Sequence, residues 1–174
     1  NPVTAITEAF ATAKAYRGVS ASVALTAAFG LFGWPITTQI PVIARDELGV
    51  PEVLYGMLVG GIGAGALIGA MILATVNPRR RGTVYSGGTL LFLAAAFLFA
   101  LSPWYGLSLV LLVLAGIGSV CFAIMQPLLA VENVPPELRG RALGAIALAI
   151  GANPLGMLAV GYAANEFGPR MSVA

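Results

Sequence analysis

Charged side chains occur in a few short clusters, and the stretches between these clusters are long and apolar. Four stretches contain no Asp, Glu, Lys, Arg or His, namely residues 18–44, 53–78, 82–131 and 142–165. A helix needs about 20 apolar residues to cross the hydrocarbon core of a bilayer, so each stretch is long enough to span it. The third stretch is long enough for two helices, and the sequence SPWYG at residues 102–106 divides it.

We therefore predict an all-α membrane protein with five transmembrane helices. Helices are favoured because an open sheet would leave backbone groups unpaired in lipid, and the stretches lack the alternation of a membrane barrel strand. The predicted helices cover residues 18–43, 54–76, 83–101, 107–131 and 142–165.

The two ends of the chain fall outside these helices. Residues 1–17 place Val3, Ile6, Phe10 and Ala13 at helical spacing, which predicts a cytoplasmic or interfacial amphipathic helix. Residues 166–174 are predicted to form an outer loop and the start of a further membrane helix.

The composition agrees with a bilayer as the main partner and excludes several kinds of site. Only 9% of the residues are charged, whereas about 25% are charged in a typical soluble domain. The chain has no histidine and a single cysteine, which excludes a His/Cys zinc site, a Ser-His-Asp or Cys-His triad and an intrachain disulfide. We predict no metal, no cofactor and no enzymatic activity, and the small net charge of +2 argues against nucleic-acid binding.

The positive charges predict the orientation. If residue 1 is cytoplasmic, the outer side receives only Arg45 and Arg170. The inner side then receives the remaining basic residues, which are Lys14, Arg17, Arg79, Arg80, Arg81, Arg139 and Arg141. Because positive loops stay inside, we expect a multi-pass protein of the inner (plasma) membrane with residue 1 in the cytoplasm.

Three glycines in the second predicted helix share one face. Gly61, Gly65 and Gly69 are four residues apart, so they form a stripe at which a second backbone can approach closely. The stripe predicts a helix interface. That interface either slides during a transport cycle or packs without moving.

The fifth predicted helix contains Asn153-Pro154 near its middle. Proline removes a backbone donor and frees carbonyl groups at membrane depth, which marks many transport sites. The alternative is a simple kink, with Asn153 bonded to a neighbouring backbone.

Polar and aromatic side chains in the first and fourth predicted helices suggest a cavity. Gln39 and Gln126 could bind a polar group of a substrate, or could bond one helix to another. Phe32, Trp34 and Met125 would suit an apolar ligand, although they could equally face lipid. The predicted helices contain no charged residue, so a proton-carrying carboxylate would have to lie elsewhere in the protein.

The loop before the fifth helix has the sequence VPPELRGR at residues 134–141. A proline at the helix start and a glutamate in the first turn predict a short capped helix on the inner face. Its candidate residues are Pro136, Glu137, Arg139, Gly140 and Arg141.

This loop carries a family resemblance, together with PVIARDELG at 41–49, YG at 55–56 and FGPR at 167–170. The chain resembles the carboxyl-terminal half of a major facilitator superfamily transporter, and the enterobactin-exporter-like branch in particular. The resemblance implies that the five helices are helices seven to eleven of twelve, with an amino-terminal half and the twelfth helix missing. It places Gln39 and Gln126 at the central cavity, and the glycine stripe and Asn153 against the other half.

We therefore expect a secondary transporter that exports a small amphipathic compound, such as a siderophore or a drug, by alternating access. The alternatives are a non-transporting membrane scaffold or assembly protein, a metabolite importer of the same fold, and a half-size transporter that works as a homodimer.

The orientation can be tested by cysteine labelling in a Cys121→Ala background. Gly49→Cys should react with a membrane-impermeant maleimide in intact cells, whereas Gly82→Cys should react only after the membrane is opened, because one predicted helix separates the two positions. Labelling of both positions from one side would overturn the predicted topology.

Overall fold

The computed structural model describes residues 2–47, 49–76, 78–132, 134–151 and 153–167, and in these ranges the regular secondary structure is entirely helical. The α-helices α1 to α8 are, in order, Pro2–Ala15, Arg17–Ala28, Trp34–Val42, Glu52–Val76, Arg81–Leu101, Tyr105–Glu132, Arg139–Ile150 and Asn153–Phe167. Two π-helical segments, Phe29–Gly33 and Ile43–Glu47, follow α2 and α3, and a 3-10 turn, Pro136–Leu138, precedes α7. Of the predicted outer segment 166–174, residues 168–174 lie outside these ranges.

The helices are long and apolar enough for a membrane protein. Four runs within the described ranges could cross a bilayer: Glu52–Val76, Arg81–Leu101, Tyr105–Glu132 and Pro136–Tyr162. A fifth is possible if Ile6–Ala15 and Arg17–Gly33, which meet at an angle of 114°, are counted as one broken span. The predicted fold class, an all-α membrane bundle, is confirmed.

The first predicted helix, 18–43, is not a regular α-helix. The π segment Phe29–Gly33 separates α2 from α3. Pro35 has no N–H to donate to the carbonyl four residues earlier, and glycines at 30 and 33 allow the turn to widen. π turns of this kind are frequent at functional sites.

Helix α6 lies between α4 and α5 and contacts both at backbone distance. Gly116 and Gly118 are two residues apart, so they face nearly opposite sides of the helix. A Cβ atom at Gly116 would lie 2.9 Å from the Ala66 nitrogen of α4, and one at Gly118 would lie 2.6 Å from the Gly88 oxygen of α5. These glycines set the distances between the three helices.

The glycine stripe of α4 completes the contact with α6. Gly61 packs against Leu109, Gly65 against the Val113 carbonyl group, and Gly69 against Ile117. The family resemblance led us to expect this face against the other half of a transporter. Instead, the stripe lies against α6, whose backbone at Val113 and Ile117 and whose Leu109 side chain are the neighbours just named.

Helix α1 packs through small residues rather than through its largest apolar ones. Ala9 and Ala13 are buried against α7, whereas Ile6 and Phe10 are exposed, Phe10 by 61%. Ile6 and Phe10 of the predicted stripe therefore lie outside the contact with α7, and the cytoplasmic or interfacial position of this helix stays a prediction. The side chain of Val3 lies outside the described part of the structure.

The turn between α5 and α6 is held by hydrogen bonds of its serine and tyrosine side chains. The Ser108 hydroxyl donates to Ser102 Oγ at 3.1 Å, and Ser102 Oγ donates to the Trp104 carbonyl at 3.1 Å. The Tyr105 hydroxyl donates to the Leu54 carbonyl at 3.0 Å and fixes the amino-terminal end of α6 to α4.

The contact between α4 and α6 can be tested with two alanine variants of α4. A methyl group at Gly65 would collide with the Val113 carbonyl group, so Gly65→Ala should lower the free energy of unfolding by about 1–3 kcal/mol. Gly63 is exposed and has open space around its Cβ position, so Gly63→Ala is the matched control and should not lower stability. Unfolding in mixed micelles measures both, and equal effects would contradict the proposed packing.

Candidate functional site

A cavity of about 430 Å³ lies where α2, its π segment, α6 and the α7–α8 region meet. Its volume is in the range of small-molecule sites. None of the side chains that line it in the described structure is charged. These residues are Thr26, Phe29, Gly30, Ala66, Ser119, Val120, Phe122, Ala123, Gln126, Ile150 and Asn153.

One wall of the cavity is aromatic. The rings of Phe29 and Phe122 stack, with centroids 4.1 Å apart and planes 11° apart. Phe92 and Tyr85 support this pair from behind, at centroid distances of 4.7 Å and 5.3 Å. The buried cluster fixes both Phe rings, so the wall offers a rigid apolar surface to a ligand.

A chain of buried hydrogen bonds ties α6, α2 and α5 together beside this wall. Gln126 Nε2 donates to Thr26 Oγ1 at 2.7 Å, and Thr26 Oγ1 donates to the Ser22 carbonyl at 2.7 Å. The Tyr85 hydroxyl donates to the same carbonyl at 3.2 Å. Because the Thr26 hydroxyl has one hydrogen and gives it to Ser22, it accepts from Gln126, which orients the amide.

The opposite edge of the cavity is formed where α8 meets the π segment. Gly156 lies against the backbone of Gly30 and Leu31, at 2.8 Å and 2.7 Å from its Cβ position to their carbonyl oxygens. Asn153 Oδ1 packs against Gly30 and is buried, and it accepts no hydrogen bond from any residue that the structure describes.

The predicted interruption of the fifth helix coincides with the start of α8. Helix α7 ends at Ile150 and α8 begins at Asn153, with Pro154 as its second residue. A proline there costs no hydrogen bond, since the first N–H groups of a helix have no internal partner. Pro154 therefore lies in the first turn of α8, within the run Pro136–Tyr162 that is long enough to cross a bilayer.

The structure separates the other predicted cavity residues. Gln126 lines the cavity, whereas Met125 faces a different cleft, of about 250 Å³, near Pro78 and Arg81. The two residues are neighbours on α6 and point about 100° apart.

Phe32 is also displaced from the predicted site, being 66% exposed and absent from the cavity wall. The wider π turn breaks the spacing that would bring Phe29 and Phe32 to one face. Gln39 and Trp34 belong to α3, and their side chains lie outside what the structure describes.

The predicted inner loop lies away from the cavity. Pro136 and Glu137 are in the 3-10 turn, and Arg139, Gly140 and Arg141 begin α7. Arg141 is paired with Glu8 of α1 at 3.1 Å, and Arg81 of α5 is paired with Glu132 of α6. These partly exposed pairs connect helix ends, and pairs of this kind contribute little stability.

Two features of the site were not predicted. Thr26, which binds Gln126, has no local sequence signal because the two are 100 residues apart. To predict the role of Gly30, one would have to know that α8 crosses the π segment at Gly156. The glycines at 30 and 33 are the sequence signal for an irregular turn there.

Comparison with protein families identifies the chain. The profile described as Major Facilitator Superfamily matches residues 2–157. The chain belongs to the Major Facilitator Superfamily. Neither the curated proteins nor the solved structures gave a significant match.

Membership of the Major Facilitator Superfamily confirms the broad part of the sequence-based predictions. The chain comes from a multi-pass membrane transporter, and members of this family are transporters rather than enzymes. The all-helical bundle agrees with this family.

The hydrogen bonds of Thr26 can be tested against those of a second buried threonine. Thr26→Val removes the connection between α2 and α6, whereas Thr89→Val removes only a bond from Thr89 to the Tyr85 carbonyl within α5. We expect Thr26→Val to lower the free energy of unfolding by about 0.6–1.7 kcal/mol more than Thr89→Val does. Equal losses in mixed micelles would show that the interhelical bond adds nothing.

Proposed function

We propose that this chain is the carboxyl-terminal half of a secondary transporter of the inner membrane, with residue 1 in the cytoplasm. It exports a small amphipathic compound by alternating access, and an amino-terminal half completes the pathway. The observation that carries the proposal is the uncharged cavity, in which the Phe29–Phe122 wall lies beside the Gln126 amide.

The lining of the cavity supports an uncharged, amphipathic substrate. A charged group would lose its hydration without gaining an opposite charge from the described lining, which is costly. An apolar ring can pack on the Phe29–Phe122 wall. The Gln126 amide has a second N–H and a carbonyl oxygen besides the N–H given to Thr26, so it can bind a polar group of the same molecule.

The packing of the helices supports rocking of the half as one unit. Alternating access in such transporters is largely the movement of one helix bundle against another around a fixed site. Here α6 contacts α4 and α5 at backbone distance, and Thr26 and Gln126 bind α2 to α6. These contacts resist relative movement of the helices that line the cavity.

Outward transport and the siderophore or drug class rest on the resemblance to the enterobactin-exporter-like branch. The described cavity lining supplies no group that could carry a proton at neutral pH. For a proton-coupled cycle, we therefore place the coupling carboxylate in the amino-terminal half.

A scaffold or assembly protein is the second candidate, and the Gln126–Thr26 bond favours it, since such a bond also serves to hold helices together. The two candidates differ in what the loss of Gln126 should do. In a scaffold only stability changes, whereas in a transporter the movement of substrate changes as well.

The test uses the complete transporter reconstituted in liposomes, with fluorescent amphipathic drugs as probes. Gln126→Leu should lower the rate of probe flux about tenfold, because one hydrogen bond to the substrate is lost. The matched control is Ser108→Ala, which removes a buried hydroxyl at the turn between α5 and α6, away from the cavity. It should leave flux unchanged.

The outcome separates the candidates when stability is measured on the same samples. Equal flux in the wild type and Gln126→Leu, with only a lower Tm, would favour the scaffold. Flux into inside-out vesicles supports export, and flux only in the opposite sense would support an importer. A folded wild-type protein that moves no probe under any ion gradient would contradict the proposal.

A further inference from the structure

The side-chain oxygen of Asn153 is unusual among the polar atoms that line the cavity, because it is buried and has no hydrogen-bond partner in the described structure. Buried polar atoms in proteins are almost always hydrogen-bonded, so a partnerless one calls for an explanation. Asn153 lines the cavity, yet its Oδ1 packs against Gly30 and accepts no hydrogen bond from the residues that the structure describes.

We propose that Asn153 is the residue that determines substrate specificity in this cavity, and that it selects uncharged aromatic molecules carrying an O–H or N–H donor. The ligand donates its hydrogen to Asn153 Oδ1 while its ring packs on the Phe29–Phe122 wall. This inference rests on the proposed transport function, which it makes more specific.

The amide reaches the ligand by a rotation that breaks no hydrogen bond of Oδ1. The torsion about Cβ–Cγ of asparagine is broad, and Oδ1 has no bond to lose where it packs on Gly30. In the proposed bound state, Oδ1 faces the cavity that Asn153 lines and Nδ2 faces the π segment. The backbone contact between Gly156 and the carbonyls of Gly30 and Leu31 does not depend on the amide's orientation.

The unpaired oxygen of Asn153 explains why a ligand with a hydrogen-bond donor is preferred over one with only an acceptor. A ligand with only an acceptor could bind the Asn153 N–H groups, but it would leave Oδ1 buried without a partner. A ligand with a donor supplies the missing partner, and sites with such unpaired groups discriminate strongly between substrates that can and cannot fill them. The other polar lining side chains each make at least one hydrogen bond, Thr26 to Ser22, Gln126 to Thr26, and Ser119 to Gly116 at 2.8 Å, whereas Asn153 Oδ1 is buried without one in the described structure.

The experiment compares two probes of the same shape class with the complete transporter in nanodiscs. The probe 2-naphthol has an O–H donor, and 2-methoxynaphthalene has only an acceptor. Equilibrium dialysis gives their binding, and empty nanodiscs give the lipid background, which is the same for every variant. We expect the wild type to bind 2-naphthol about fivefold more tightly, which is the effect of one net hydrogen bond.

Asn153→Leu keeps the branched shape of the side chain and removes the oxygen, so the preference should fall to about one while 2-methoxynaphthalene still binds. Asn153→Ala provides a second variant in case a leucine methyl does not fit against Gly30. The matched control is Ser119→Ala, which removes a different hydroxyl from the same cavity and should keep the preference.

Each outcome has a distinct meaning. A preference that survives both Asn153 variants, or that disappears in Ser119→Ala instead, overturns the inference and leaves the transport proposal to its own flux test. Absence of binding of both probes to the wild type also overturns the inference. Loss of flux in the reconstituted protein, by contrast, contradicts the proposed function itself.

Discussion

The close approach of α6 to its two neighbours is the constraint on which the rest of this structure depends. In lipid, apolar surfaces gain nothing from leaving the solvent, so helices associate through close packing and interhelical hydrogen bonds. Gly116 and Gly118 allow α6 to contact the backbones of α4 and α5, and the glycine stripe of α4 allows the backbone of α6 to approach from the other side. The width of the cavity follows, because Ala66 and Val120 line it beside these same contacts.

The hydrogen bonds near the cavity connect residues that are far apart in the sequence, and they fix an aspect of the fold that packing does not. Gln126, Thr26 and Tyr85 come from three helices and meet at the carbonyl of Ser22 or next to it. Packing of glycines sets how close two helices lie, but a directional bond also fixes their rotation. Together the two effects hold the aromatic wall and the amide of Gln126 at one place.

The sequence alone was enough to predict the fold class, because that class depends on the lengths of the apolar stretches between charged residues. Charge-free stretches predict the membrane helices, and the break at residues 102–106 agrees with α5 ending at Leu101 and α6 beginning at Tyr105. Which face of each helix lines the cavity was harder to predict, because it depends on the neighbouring helices. Met125 and Gln126 were both named as cavity candidates, although adjacent residues of a helix point in different directions. Phe32 was named because an aromatic ring suits an apolar ligand, but it lies in a π segment that the sequence did not predict. The partnership of Thr26 with Gln126 requires the tertiary fold.

The site contains two kinds of position: those in the backbone contact between Gly30 and Gly156, and those whose side chains only line the cavity. Gly156 belongs to the frame, since any larger residue there would collide with the carbonyl groups of Gly30 and Leu31, whereas a larger residue at Gly30 would meet the side chain of Asn153. Ala123 and Ile150 line the space and are not among the close neighbours of these glycines, so we expect a change of their size to alter the volume without moving a backbone. Selectivity can therefore diversify among relatives, or be redesigned, by exchanging lining residues on an unaltered scaffold.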